Sequence, residues 1–577
     1  MKKNKIALKP YLDTIAGYCD TLSTEALANI IIGLAKGIPT AERVNFLERI
    51  ESLLPGGPPK PVFDLGPVEE ILNEIQALRE SIEERIKAIE DGSYWDYSDE
   101  WEDNSYYNED PDYINEEQIE ELESFFNDAE NLFLDDRLED ARIVYGALFT
   151  LINEVGETSY FPPTPETDIR EERARYCRCV YETSDKDKRF KEFATAMEIN
   201  ISVLFNENEY DKNYPLLQDV IDAKPDDMED LESFLPAWKN LLSKKETKGR
   251  PAVLLLETVY RLEGLDGVSK LARKWKNSQP QGYLFWLKIL KEEKDPEGII
   301  KVSDEGLEAI KEGPFREDVA VFMIDAAEKL NDKKNILLGK RERFFSHIND
   351  QNLLELLDEA ITQDAREKEL DGGINFFKTR KTIDKKRKSL YAKTLLMAGE
   401  LKAAHALVKN AKSVGWSYET NAGIVFGSVM SVLTGHSDKT STIKRLLKSY
   451  ANDTSVYSGR FSIDDGKSTS FYEEIVKGLK QKKFTKTQTS QYFSWAEKIG
   501  RNRIDHIVSN KHRNAYERAA QVLGSLAEAY ASMDKKTEAV QILNEYYNEK
   551  YNRFSAFRRE VKAVVMESDL LKNLRFL

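Results

Sequence analysis

The residues of this 577-residue chain that could do chemistry are three cysteines, five histidines, a Gly-Lys-Ser-Thr run and clustered carboxylates. Cysteine acts as nucleophile or metal ligand through its thiolate. Here Cys177-Arg178-Cys179 has no later cysteine to join it, and the third is Cys19. Two positions apart on a helix, the pair points to different sides, which weakens both a ligand and a redox-pair reading. A Cys-His pair forms in space rather than in sequence, but His347, His405, His436, His506 and His512 have no recognisable catalytic neighbour. Asp465-Gly466-Lys467-Ser468-Thr469 echoes the end of a phosphate-binding loop; that motif needs glycine where this chain has Phe461, and no apolar strand leads into it. Asp96, Asp99, Glu100, Glu102 and Asp103 would attract Ca²⁺ or Mg²⁺, yet they lack the Asp-x-Asp-x-Asp-Gly loop that converges oxygens on one point. The expectation is a protein without enzymatic activity, cofactor or specific metal.

The same acids suit a different chemistry. Residues 91–136 carry eighteen Asp and Glu and no Lys or Arg, slightly more charge than the net −17 of the whole chain. Tyr94, Trp95, Tyr97, Trp101, Tyr106, Tyr107 and Tyr113 are interleaved with them. Charge steers a basic surface into encounter, and rings fill apolar pockets and hold it. Tyr94, Trp95, Tyr97, Trp101, Tyr106 and Tyr107 are therefore candidate contacts for a protein partner with a basic surface. The counterweight is basic: Lys378, Arg380, Lys381, Lys385, Lys386 and Arg387 within 378–393, and Gly-Leu-Lys-Gln-Lys-Lys-Phe-Thr-Lys over 478–486. These stretches fit a solvated helix face, a dock for residues 94–130 of the same chain, or a nucleic-acid contact. The net negative charge opposes broad phosphate binding, so nucleic acid is not the expected partner.

Helices must position these segments. Apolar residues at 41% and charged residues at 32% suit long helices with solvated outer faces, and the length exceeds one compact core. The basic start is broken by Lys9, Pro10 and Asp13, and no run approaches the ~18 apolar residues of a membrane helix. With so few cysteines, a cytoplasmic protein is expected. Periodicity predicts a helical hairpin over 1–53, from Thr24–Ala35 and Ala41–Leu53, and Pro and Gly mark a linker over 54–66. Val68, Ile71, Leu72, Ile75, Leu78, Ile82, Ile86 and Ile89 predict one amphipathic helix over 67–90. An acidic aromatic arm, 91–115, follows, with too little aliphatic content to order itself alone. Helical repeats are expected over 116–365, a polar and basic linker over 366–390, and a second helical domain over 391–577 with an exposed loop at 452–470. The best strand candidate is Val425–Val432.

Helix–turn–helix pairs recur at Ala129–Tyr145, Leu255–Trp275, Tyr391–Leu407 and Tyr516–Leu543, with small residues where two helices would cross. They resemble tetratricopeptide-type hairpins without a strict period, so the expected fold is all-α: irregular stacked hairpins in two helical domains. The stretches 254–268, 316–330, 341–360 and 516–557 together resemble large bacterial helical-repeat proteins, some of which carry a SWIM zinc finger. That resemblance implies architecture only, because SWIM zinc binding needs Cys-x-His after Cys-x-Cys and no such cysteine follows Cys179. In size, two-part helical build, acidity and long polar loops the chain is also similar to the helical accessory proteins of type III-E CRISPR systems. That second likeness implies a defence regulator cleaved by a CHAT-type protease, within a loop such as 363–389 or 452–470, and acting with a sigma factor.

Overall fold

The computed structural model describes residues 6–37, 46, 47, 50, 68–91, 93, 112–156, 167–199, 213–245, 249–380, 385–415, 422–452 and 470–574. Every regular element among the described residues is helical, so the fold is all-α. The chain divides into two compact units, Met1–Lys274 and Trp275–Leu577. The composition had suggested a boundary at 366–390; the units part well before it.

In the first unit the helices are α1 (Leu8–Thr21), α2 (Thr24–Gly37), α3 (Val68–Asp91), α4 (Glu116–Leu134), α5 (Leu138–Gly156), α6 (Ile169–Thr183), α7 (Lys186–Ala196), α8 (Leu217–Asp222), α9 (Leu231–Lys244) and α10 (Arg250–Trp275). The helix expected over Thr24–Ala35 is α2. Most of Ala41–Leu53 and the 54–66 linker lie outside the described residues. Periodicity did not flag α1, whose Pro10 sits in the first turn, where a missing N–H breaks no helical bond. Ile71, Ile75, Leu78 and Ile82 of α3 form a buried stripe that packs on α4 and α5. Along α4, Leu122, Phe125, Phe126, Ala129, Leu132 and Phe133 are buried, and the acids of its first turns, Glu116, Glu117, Glu120 and Glu121, are exposed. The turn expected within Leu255–Trp275 appears as a break inside α10, with Gly264 at φ 64°.

The second unit begins with four consecutive hairpins. They pair α11 (Gln281–Glu292) with α12 (Pro296–Ala309), α13 (Pro314–Leu330) with α14 (Lys333–Ser346), α15 (Asp350–Thr362) with α16 (Arg366–Thr379), and α17 (Lys385–Met397) with α18 (Leu401–Val408). One local device closes all four. Lys294, Asn331, Asp364 and Gly399 take left-handed backbone angles, φ 57°, 54°, 54° and 76°. The next residue then donates its N–H five positions back: Asp295 to Leu290 O, Asp332 to Ala327 O, Ala365 to Ala360 O and Glu400 to Leu395 O, at 2.7–2.9 Å. This bond satisfies carbonyls that a helix end leaves open. The left-handed positions recur at intervals of 37, 33 and 35 residues. Asp136 closes α4–α5 in the same way, and Asp534 closes α23 (Tyr516–Ser532) against α24 (Lys536–Asn544).

Two expectations are corrected here. The segment 366–390 is not an irregular linker: α16 occupies Arg366–Thr379 with Leu370, Ile374 and Phe377 buried, and α17 starts at Lys385. Its charges look solvent-facing in sequence but bind neighbouring hairpins. Glu369 takes Arg341 at 2.7 Å, Arg366 pairs with Glu474, and Arg380 pairs with Glu312. Likewise Val425–Val432 is not a strand. It lies in α19 (Ala422–Leu433), a helix buried on nearly every side, which is why it is apolar all round. The remaining helices are α20 (Ser441–Asn452), α21 (Phe471–Leu479), α22 (Lys486–Ser509) and α25 (Ser555–Glu567). Among the described residues no helix is long and apolar enough to cross a membrane.

Candidate functional site

The acidic aromatic tract leaves from the end of α3 and returns at the start of α4. Tyr94, Trp95, Tyr97, Trp101, Tyr106 and Tyr107 lie outside the described residues, but both roots are inside them. At the first root Ser93 N–H donates to Asp91 Oδ1 at 3.0 Å. At the second, Arg85 of α3 donates from Nε and Nη2 to Asp112 O at 3.1 and 2.9 Å. Ile114 is buried, and Asn115 caps α4 by exchanging bonds with Gln118 at 2.8 and 3.1 Å. Gln118 Nε2 then donates to Ser81 Oγ of α3 at 2.8 Å. Residues 112–115, within the arm expected over 91–115, are therefore held against α3 and α4. The sequence signal for this root was Asn115-x-x-Gln118, a capping box.

Charge is distributed unevenly between the two units. Residues 1–274 hold 59 Asp and Glu against 32 Lys and Arg, a net of −27; residues 275–577 hold 42 against 52, a net of +10. The candidate basic contacts do not share one environment. Lys378 is exposed on α16, whereas Arg380 is engaged by Glu312 and lies over the Phe376 ring at 4.2 Å. Lys381 is outside the described residues, and Lys385, Lys386 and Arg387 are described only as the opening of α17. The second basic stretch is a turn between α21 and α22, on which Lys480, Lys482, Lys483 and Lys486 are exposed.

The cysteines and histidines occupy different settings, some buried and some exposed. Cys177 and Cys179 are both buried in α6, and burial pushes the Cys177 thiol up to about 12, so neither offers a thiolate near neutral pH. Cys19 is exposed on α1. His347 sits 2.9 Å from Glu317, His405 lies edge-on to Tyr492 and Trp495, His436 bridges Ser431 and Leu479 O, and His506 stacks on His512. The Asp465–Thr469 run lies outside the described residues. No group of three or more His, Cys, Asp or Glu among the described residues could hold a metal ion.

Sequence reasoning missed the buried charges. Burial raises Glu172 of α6 to about 7 although Arg175 lies 2.6 Å away and Tyr145 of α5 donates to it at 2.6 Å. Arg175 also reaches Glu130 of α4 at 2.8 Å, so the cluster joins three helices. With Glu172 and Arg175 only 6% and 5% exposed, it is placed to hold helices together, not to meet substrate. Arg178, fully buried, donates to Ile221 O and Asp226 O, and Arg250 donates to Met197 O and Pro215 O, covering carbonyls that helices and turns leave open. Glu257 and Glu528 do the converse job at helix starts. Glu257 accepts from Leu217 N and Gln218 N of α8 at 2.8 and 2.6 Å, and Glu528 from Thr442 N and Ile443 N of α20 at 3.0 and 2.9 Å. Nothing in sequence separates such a Glu from a solvated one, because each cap lies tens of residues from the helix it serves. In comparisons with known proteins, the chain matches no protein-family model and no curated protein.

Proposed function

We propose that the protein is a non-enzymatic interaction scaffold or regulator, built of TPR-like stacked helical hairpins and acting in the cytoplasm. The observation that carries this reading is the acidic aromatic tract, rooted at both ends on the α3–α4 pair within a unit of net charge −27. A protein partner with a basic surface is the chemistry it fits. Closing turns at 37-, 33- and 35-residue intervals support the repeat reading, since tetratricopeptide units run about 34 residues. The roots also define the test. Deleting residues through 130 would remove Leu122, Phe125, Phe126 and Ala129 from the core, so replacing Tyr94, Trp95, Tyr97 and Trp101 by Ser is the cleaner perturbation. Affinity capture with wild-type and substituted chains should show a salt-sensitive partner lost on substitution; retention of every partner would refute the role of the tract.

A regulator released by proteolysis, of the kind a CHAT-type protease would cut and a sigma factor would accompany, is the second reading. The helical state of 366–379 favours 452–470 over 363–389 as the place for such a cut.

A further inference from the structure

The first two helices, α1 and α2, present apolar side chains to solvent. Of seventeen exposed large apolar side chains among the described residues, ten fall within residues 6–34: Ile6, Tyr11, Leu12, Ile15, Tyr18, Leu22, Ile30, Ile31, Ile32 and Leu34, at 37–63% exposure. None of the residues of α1 is buried. Isolated exposed leucines need no explanation, but a concentration of this kind does. Helix α2 carries Ala28, Ile30, Ile31, Ile32, Gly33 and Leu34 in nearly unbroken succession, with polar side chains only at Thr24, Glu25, Asn29 and Lys36. At 14 residues it is too short to span a bilayer.

We propose that α1 and α2 form a homodimerisation surface, covered by α1 and α2 of a second copy. Three observations favour a second copy. Ten large apolar side chains within residues 6–34, each 37–63% exposed, together leave an area on the order of one side of a standard interface. A standard interface needs about 800 Å² per partner, whereas the largest patch on a monomer is about 300–600 Å². The face is also nearly uncharged: residues 6–37 contain only Lys9, Asp13, Asp20, Glu25 and Lys36, in a unit of net −27. Two copies can therefore meet here without bringing their acidic surfaces into direct opposition, and there is no charge for a steered foreign partner to read. Finally, each helix carries apolar side chains at helical spacing, Tyr11, Ile15 and Tyr18 on α1 with Leu22 at its C-cap, and Ile30, Ile31 and Leu34 on α2, and a two-fold axis sets the same patch on both sides of an interface.

Sedimentation velocity of the full chain across the micromolar range tests this. The expected result is a species of twice the monomer mass that reverts to monomer in the Ile15→Glu/Ile31→Glu variant, whose helical circular dichroism stays that of wild type because both side chains are exposed in the single chain. An independent readout uses Cys19, which is exposed on α1 while Cys177 and Cys179 are buried. Nitroxide labels on Cys19 should show dipolar coupling between copies that vanishes on dilution with unlabelled chain. A wild-type chain that stays monomeric throughout the range, as it would if another part of the same chain covered α1 and α2, overturns the proposal. So does a dimer that survives the double substitution unweakened.

Discussion

Glu528→Ala should destabilise the second unit by about 3 kcal/mol. The side chain is fully buried on α23, and its carboxylate accepts from Thr442 N at 3.0 Å, Ile443 N at 2.9 Å and Ser568 Oγ at 2.7 Å. Alanine strands two backbone N–H groups at the start of α20, each costing about 1–3 kcal/mol when buried without a partner. The Ser568 hydroxyl can rotate and is left out of the sum. Against this, burial itself opposes the carboxylate and raises its proton affinity, so removing the group returns part of the penalty and the net falls near the middle of the range. Urea unfolding followed by circular dichroism reads the global effect. Hydrogen exchange at Thr442 and Ile443 reads the local one, and should accelerate by about a hundred-fold, since ~1.4 kcal/mol is a factor of ten. Glu528→Gln, which keeps one accepting oxygen, should fall between, and Ser568→Ala should cost about 1 kcal/mol. If Glu528→Ala stayed within about 0.5 kcal/mol of wild type, a typical neutral surface change, long-range capping would not be what holds α20.

Other outcomes follow from the same geometry. Burial raises Glu257 to about 7 from 4.5, so the folded chain holds that proton more tightly than the unfolded chain does. Its contribution is full below pH 4.5 and is lost as pH rises through about 7; Glu257→Gln should flatten the pH dependence of unfolding in that window. Gly478→Ala should lower the melting temperature by several degrees, because an added Cβ would sit well inside contact distance of Met397 O and force α17 and α21 apart. Under native conditions a maleimide should add once per chain, at Cys19, and reach Cys177 and Cys179 only on unfolding, as intact-mass spectrometry would show. The four-residue Ser substitution in the arm should leave the melting temperature unchanged while abolishing partner capture.

Periodic stripes and turn residues made much of the fold legible. The α4–α5, α17–α18 and α23–α24 turns were visible as Asp-Asp-Arg, Ala-Gly-Glu and Asp-Lys-Lys between helical stretches, although a left-handed Asp gives a weaker signal than Gly. What stayed hidden shares one cause, which is that the partner of a charge is absent from local sequence. Glu369 and Arg366 made 363–389 look solvated because Arg341 and Glu474 lie far along the chain. Helix α6 reads as a polar surface helix, yet Arg173, Arg175 and Arg178 are all buried. The opposite error occurred at α2, where stripes on Thr24–Ala35 promised a helix and did not reveal that its apolar side is uncovered. The candidate contact residues rest on composition alone, and the Asp112–Asn115 root became visible only in the structure.

Being fixed at both ends restricts what can take hold of the arm. Residues 92–111 form a closed span with no free terminus, so a partner that threads peptides end-first through a pore or ring cannot engage them; an open cleft can. Twenty residues extend at most about 3.3–3.6 Å each, and a span that must go out and come back reaches no more than about 35 Å from its base. A partner surface must therefore approach the α3–α4 end itself, and whatever binds the rings is brought within that radius of the first unit. On the proposed reading, a receptor for these rings must therefore offer an open cleft and be held within that radius of the first unit.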